Sequence, residues 1–141
     1  MNSVFILFFI FLSTSASSSE SADKIIEDLE KRIRTHLDLN EDSKIAELLD
    51  NGFEFHGCQK KFGPTEFIKQ LDIDKFLWKG ADRSSWNITI VNSQKIVYQV
   101  QRIFMYGVSQ TFSATIERAP ILQNQPARLY KFLKRLNCPK S

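Results

Sequence analysis

The spacing of apolar residues changes from a helical to an alternating pattern along this chain of 141 residues. From residue 23 to residue 39, apolar side chains recur every three or four positions, which is typical of an amphipathic helix. From residue 86 to residue 117 they alternate with polar ones, which indicates strands with one buried face. The alternating residues are Trp86, Ile88 and Ile90, then Ile96, Tyr98, Val100 and Phe104, then Val108, Phe112, Ala114 and Ile116. Helices followed by strands predict a single α+β domain.

Three helices and a short hairpin are predicted ahead of these strands. The helices cover residues 23–39, 42–50 and 64–71. Asn51-Gly52 is expected to end the second helix, because both residues tolerate a left-handed backbone. Residues 53–56 and 60–62 are predicted to be short extended pieces around a glycine turn. The three later strands follow one another through short turns, so we expect them to pair antiparallel.

The last segment, residues 127–136, is ambiguous. Its apolar side chains match helical spacing better than strand alternation, and basic residues fill the remaining positions. The apolar residues are Leu129, Phe132, Leu133 and Leu136. Periodicity alone therefore favours a helix here over a strand.

Residues 1–16 are predicted to be a secretory signal peptide. Val4–Leu12 is an apolar run of nine residues, whereas a helix that spans a bilayer needs roughly 20. Thr14 and Ala16 occupy the two positions that a signal peptidase reads, so we expect cleavage after Ala16. Residues 17–22 would then be a frayed N-terminus of a secreted, extracellular protein without a membrane span. The alternatives are a buried N-terminal helix and an uncleaved anchor.

Secretion changes the interpretation of the two cysteines and of one asparagine. In an oxidising compartment Cys58 and Cys138 can form a disulfide, and two unpaired buried cysteines are the alternative. The bridge would close a loop of roughly 80 residues and stabilise the fold by about 4 kcal/mol. Asn87 begins the N-glycosylation sequence Asn87-Ile88-Thr89, so we expect a glycoprotein in which Asn87 faces solvent.

Two segments carry a resemblance to a known superfamily. Residues 48–58 read Leu-Leu-Asp-Asn-Gly-Phe-Glu-Phe-His-Gly-Cys, and residues 63–71 read Gly-Pro-Thr-Glu-Phe-Ile-Lys-Gln-Leu. They are similar to the nuclear-transport-factor-two-like superfamily, which includes ketosteroid isomerase-like and SnoaL-like domains. In that superfamily a short helix ends in an acidic turn, an aromatic-His-Gly element follows, and the next helix carries an aromatic-aliphatic pair. The ending Asn137-Cys138-Pro139 looks like the small secreted animal members.

The resemblance implies one domain over residues 23–139 with a cone-shaped fold. Three N-terminal helices would pack on a curved antiparallel sheet and enclose a pocket. Residues 127–136 would form the last strand, and we follow the resemblance there against the helical spacing. No cofactor is implied, and no metal site is expected because His36 and His56 lack further ligands at suitable spacing.

His56 is the one weak candidate for a catalytic residue. The isomerase branch has a carboxylate base near the end of its first strand, and His56 lies within one residue of that place. A histidine could act as a general base at neutral pH. That branch also uses a tyrosine from the first helix and a protonated aspartate from a late strand, but residues 23–39 contain no Tyr and residues 108–118 no Asp. We therefore assign no catalytic residue and favour a protein that is not an enzyme.

The charge distribution raises a further hypothesis. From Arg118 to the C-terminus there are six basic residues and no acidic one. Four of them, in the last predicted element, could bind an anionic lipid or a glycan: Arg128, Lys131, Lys134 and Arg135. The alternative is a solvated face of the sheet. Secretion argues against nucleic acid as the partner.

Three functions are consistent with these features. The leading hypothesis is a secreted, non-enzymatic domain that binds a small apolar ligand or an extracellular protein partner in a cone-shaped pocket. The first alternative is a small isomerase or dehydratase with His56 as its general base. The second is a surface protein that binds anions through its basic C-terminal segment. The oligomeric state stays open, and a dimer is compatible with all three.

Overall fold

The computed structural model describes residues 22–73, 85–103, 109–118 and 128–139. The expected signal peptide and its cleavage position lie outside the described residues, as do Phe104 and Val108. Within the described part, no helix is long and apolar enough to cross a membrane.

Three helices precede the long strands, as expected. Helix α1 covers residues 22–38, α2 is Asp42–Ala46 and α3 is Pro64–Ile73. The apolar stripe of α1 is buried apart from Ile25, which is half-buried, and Ile26 and Ile33 are inaccessible to solvent. Asn40, at a φ of 57°, lies between α1 and α2. Helix α2 ends four residues earlier than predicted, because Leu49 and Asp50 already belong to the first strand.

Six strands form one sheet in the order β2-β1-β6-β5-β4-β3. Their bounds are β1 Leu49–His56, β2 Lys61–Phe62, β3 Trp86–Val91, β4 Lys95–Ile103, β5 Ser109–Arg118 and β6 Arg128–Arg135. The pairs β1–β2, β3–β4, β4–β5 and β5–β6 are antiparallel. The pair β1–β6 is parallel, so the curved sheet is mixed rather than wholly antiparallel. Short turns impose antiparallel pairing only on strands adjacent in sequence, and β1 and β6 are far apart in the chain.

The final element is the strand implied by the resemblance, and a β-bulge explains why its spacing looked helical. Ile116 pairs with Tyr130 and Thr115 with Phe132, so Lys131 is an extra residue on β6. The extra residue shifts the alternation by one, which places Tyr130 and Leu133 both on the buried face. The same shift places Leu129 and Phe132, which pair with Glu117 and Thr115, together on the other face, so residues three apart share a face as they do in a helix.

A second irregularity lies in β1. Leu49 pairs with Tyr130 and Glu54 with Phe132, so β1 carries additional residues between these two positions. Gly52 lies in this stretch, and its N–H donates to Asp50 Oδ2 at 2.8 Å. Leu49 and Phe53 are both buried, four residues apart. Asn51-Gly52 therefore interrupts the regular pairing of a strand instead of ending a helix.

The core lies between the helices and the inner face of the sheet. Buried side chains of α1 and α3 form one cluster with the inner residues of the strands. Strands β4 and β5 contribute Ile96, Tyr98, Val100, Phe112, Ala114 and Ile116. All six are among the residues whose alternation predicted these strands, and Tyr98 also carries a polar hydroxyl group. Burial of apolar side chains on this face supplies the main driving force for the fold.

Candidate functional site

An aromatic cleft of about 200 Å³ opens at the end of the sheet where β1 and β6 finish. Four phenylalanines from four different elements line it: Phe55 of β1, Phe62 of β2, Phe67 of α3 and Phe112 of β5. Leu71 and Leu133 complete the apolar part of the wall. A concave, mainly apolar site with a few polar groups is the usual form of a small-molecule site.

Local sequence patterns bring these rings together. Phe55 lies on the same face of β1 as the buried Phe53, two residues earlier. Phe67 and Leu71 lie on one face of α3 because they are four residues apart. The Phe55 ring centroid is 5.8 Å from that of Phe62, 5.3 Å from Phe67 and 6.2 Å from Phe112. Each distance lies within the range of favourable aromatic pairs.

Polar groups line one part of the cleft. Gln110 lies on the face of β5 that also carries Phe112, and Gln70 comes from α3. Arg135, near the end of β6, adds a guanidinium. Its Nε is buried and has no hydrogen-bond partner among the described residues. The cleft therefore combines aromatic walls with two amides and one cation.

A disulfide borders the cleft. Cys58, which lines it, is joined to Cys138, with a Cα–Cα distance of 5.4 Å. Cys58 follows β1 and Cys138 follows β6, so the bridge connects the carboxyl ends of two neighbouring parallel strands. It ties the C-terminal segment to the segment that carries Phe55 and Gly57.

A buried polar network lies behind the cleft. Arg102 of β4 donates from Nη2 to Glu30 Oε1 of α1 at 2.7 Å, and Tyr98 Oη donates to the same oxygen at 2.9 Å. The hydroxyl groups of Tyr98 and Tyr130 are 3.0 Å apart. All four side chains are at least 98% buried, since none exposes more than 2% of its surface. The guanidinium carbon of Arg102 is 6.0 Å from the centre of the Phe112 ring, so Phe112 separates the network from the cleft.

The network is buried away from solvent, and this burial keeps its two tyrosines protonated. Burial, and then the charge of Glu30, raise the pKa of Tyr98 well above its ordinary value. Burial is also the main cause that raises the pKa of Tyr130. A buried ion pair costs desolvation, and hydrogen bonds to its partners offset part of that cost. The arrangement therefore links α1 to β4 and β6 inside the core.

Sequence reasoning missed this network, although a signal was present. Glu30 is a charged residue, but it lies four residues after Ile26 and three before Ile33, within the apolar stripe. Arg102 continues the inward alternation of Tyr98 and Val100. Opposite charges at core positions of two predicted elements indicate a buried ion pair.

His56 does not line the cleft. Its neighbours Phe55 and Gly57 do, whereas His56 points to the other face of β1. There its Nε2 lies 3.2 Å from Glu54 Oε1, and its ring centroid lies 4.6 Å from that of Phe132. Hydrogen bonds from His56 and Lys61 lower the pKa of Glu54. The structure thus separates the one candidate base from the cleft.

The four basic residues of the C-terminal segment do not form one surface. Lys131 bonds to Asp50 at 3.0 Å; a backbone hydrogen bond from Gly52 and then this contact lower the pKa of Asp50. Lys134 is exposed on the outer face, and Arg128 lies at the far end of β6, where burial lowers its pKa. Arg135 alone lines the cleft. Alternation and the bulge distribute the charges over different parts of β6.

Asn87 is exposed on β3, at the edge of the sheet, where a glycan would have room.

No group of three or more His, Cys, Asp or Glu side chains in the described ranges could hold a metal ion.

Comparison with solved structures identifies the same fold. The chain is similar to an NTF2-like protein with a cystatin-like fold from Novosphingobium aromaticivorans, at 13% identity and a TM-score of 0.59, covering 86% of this chain and 85% of that one. It is also similar to a candidate ketosteroid isomerase from Shewanella frigidimarina, at 9% identity, a TM-score of 0.55 and coverage of 82% and 97%. LinA matches at 12% identity, a TM-score of 0.55 and coverage of 86% and 89%. At these identities the similarity extends to the fold alone.

The sequence comparison covers nearly all of the described chain. No curated protein matches it. The family model described as an NTF2-like domain matches residues 22–140. This confirms the resemblance to the nuclear-transport-factor-two-like superfamily and the α+β cone fold that it implied. The chain belongs to the NTF2-like domain family.

Proposed function

We propose that the protein is a secreted, non-enzymatic domain that binds a small apolar ligand in the aromatic cleft. One observation carries the proposal: four phenylalanine rings from four elements line one open cleft of about 200 Å³. Burying a ligand ring or chain against these walls would remove apolar surface from water on both sides. The position of His56 outside the cleft supports binding over isomerisation.

The ligand is expected to be small. Cavities for drug-sized ligands have volumes of roughly 300–1,000 Å³, and an apolar cavity of about 150 Å³ is large enough for benzene. The cleft, at about 200 Å³, therefore suits one ring or a short alkyl chain with a polar end group.

Binding of the neutral probe 3-phenylpropan-1-ol, followed by NMR chemical-shift changes, tests the proposal. We expect a dissociation constant of about 1 mM or below, because a ligand of this size gains at least a few kcal/mol when it is well buried. The variant Gln110→Trp should weaken binding about tenfold, since the indole would occupy the cleft. Gln99→Trp is the matched control, because Gln99 is exposed on the neighbouring strand. Equal binding by both variants, or none by the unaltered protein, would contradict the proposal.

Secretion is the second part of the proposal. A disulfide between the two cysteines fits an oxidising compartment, and Asn87 lies on an exposed strand edge. Expressed with its leader in a secretory eukaryotic cell, the protein should appear in the medium and begin at Ser17. It should carry a glycan that an endoglycosidase removes and that Asn87→Gln lacks. Retention in the cells with an intact N-terminus would show that the leader is not a signal peptide.

A further inference from the structure

We propose that the ligand of the cleft is a small carboxylic acid, whose carboxylate pairs with Arg135 while its ring or chain lies among the phenylalanines. This inference rests on the proposed function and adds the chemical class of the ligand. The site combines one cation, two amides and an aromatic wall.

The position of Arg135 is the first argument. Arg135 pairs across the strands with Phe112, and both side chains line the cleft. Its Nε is buried without a hydrogen-bond partner among the described residues. An unsatisfied buried donor is costly, and more so on a charged group. A guanidinium carries several N–H donors in a planar fork, and a carboxylate is the anion whose geometry this fork matches best.

The charge around the cleft is the second argument. Among the residues that the structure describes, none that lines the cleft is acidic. Three carboxylates of β1 and α1 are bonded to other cations: Glu54 to Lys61, Asp50 to Lys131 and Glu30 to Arg102. Lys61 and Lys134 are both register partners of His56, so further positive charge lies at this end of the sheet. Arg135 therefore has no carboxylate partner among the described lining residues, and its positive charge attracts an anion.

The surroundings of Arg135 limit what kind of anion fits. Gln110 lies on β5, two residues before Phe112 on the same face, and its amide can donate to a second carboxylate oxygen. The remaining wall consists mainly of rings and aliphatic side chains. One guanidinium beside an apolar wall suits a single negative charge on an apolar molecule better than a multiply charged phosphate or sulfate ester. The volume of about 200 Å³ again limits the molecule to one ring or a short chain.

Paired probes that differ only in the charged group test this inference. The affinity of 3-phenylpropionate should exceed that of 3-phenylpropan-1-ol by about tenfold or more at pH 7 in low salt, measured by NMR titration. Arg135→Gln should remove this preference, so that the acid and the alcohol bind with affinities within about twofold of each other. Lys134→Gln is the charge-matched control, because Lys134 is exposed on the opposite face of the same strand. Arg135→Lys should retain part of the preference.

Two different failures can be told apart. If the alcohol binds but the acid binds no better, or if Arg135→Gln and Lys134→Gln lower the acid affinity equally, the inference about the acid is overturned and the apolar cleft stands. If neither probe binds, both proposals fail. Unchanged circular dichroism and melting temperature in Arg135→Gln would show that a lost preference is not a loss of folding.

Discussion

Glu30→Leu is expected to lower the free energy of unfolding by about 3–5 kcal/mol, because it removes the carboxylate that pairs with the buried guanidinium of Arg102. Arg102 and Glu30 are 99% and 98% buried at their side chains, as their exposures of 1% and 2% show. The substitution also removes the acceptor of the Tyr98 hydroxyl. Since a typical domain is stable by only about 5–15 kcal/mol, the variant should be markedly less stable in urea.

A second variant keeps this prediction testable if Glu30→Leu does not fold. The double variant Glu30→Leu/Arg102→Met replaces the ion pair by apolar side chains and should recover much of the lost stability, since such replacements are often neutral or stabilising. Tyr98→Phe removes one hydrogen bond to Glu30 and should cost only about 1 kcal/mol. If Glu30→Leu unfolds at the same urea concentration as the unaltered protein, the Glu30–Arg102 network does not stabilise the fold.

Replacing both cysteines by serine is expected to cost about 4 kcal/mol of stability, because the bridge closes a loop with a sequence separation of 80 residues. The loop contains α3 and β3 to β6, so the unfolded chain would gain much conformational freedom. Urea unfolding of Cys58→Ser/Cys138→Ser, compared with the oxidised protein, measures the loss.

The reductant supplies the internal control for this experiment. Dithiothreitol should lower the unfolding midpoint of the unaltered protein toward that of the double-serine variant and leave the variant itself unchanged. Because Cys58 lines the cleft, we also expect weaker binding of 3-phenylpropan-1-ol after reduction. Coincident unfolding curves with and without reductant would mean that the two cysteines are not joined or that the bridge adds no stability.

Strands β4 and β5 and the first helix could be predicted because each has one buried face, and β4 and β5 pair without an irregularity. Tyr98, Val100, Phe112 and Ala114 are buried where alternation placed them. Apolar spacing taken alone indicated the wrong element or the wrong bounds where the strand pairing departs from regularity. The bulge at Lys131 gives the apolar residues of β6 a helical spacing. The irregularly paired start of β1 resembled the end of the second helix, so that helix was predicted to be too long. An extra residue in a strand changes which side chains share a face, and periodicity cannot distinguish that from a change of element.

The site was harder to predict than the fold. His56 attracted attention by its residue type, but the alternation of β1 turns it away from the cleft. Arg135 was grouped with three other basic residues by proximity in sequence, and only the bulge and the sheet order separate them. Glu30 and Arg102 meet across 72 positions of the chain. Their pairing depends on which face of α1 packs on β4.

The sequence by itself determined the α+β order of elements, the apolar faces that drive their packing, the two cysteines and the resemblance to a family. These properties follow from residue type and local spacing, which act within a few positions along the chain. Only the tertiary structure decided that β1 and β6 run parallel, that Glu30 meets Arg102, and that four phenylalanines and Arg135 share one cleft. Such contacts join residues distant in sequence, and their geometry is set by sheet order, register and bulges, which local spacing does not encode.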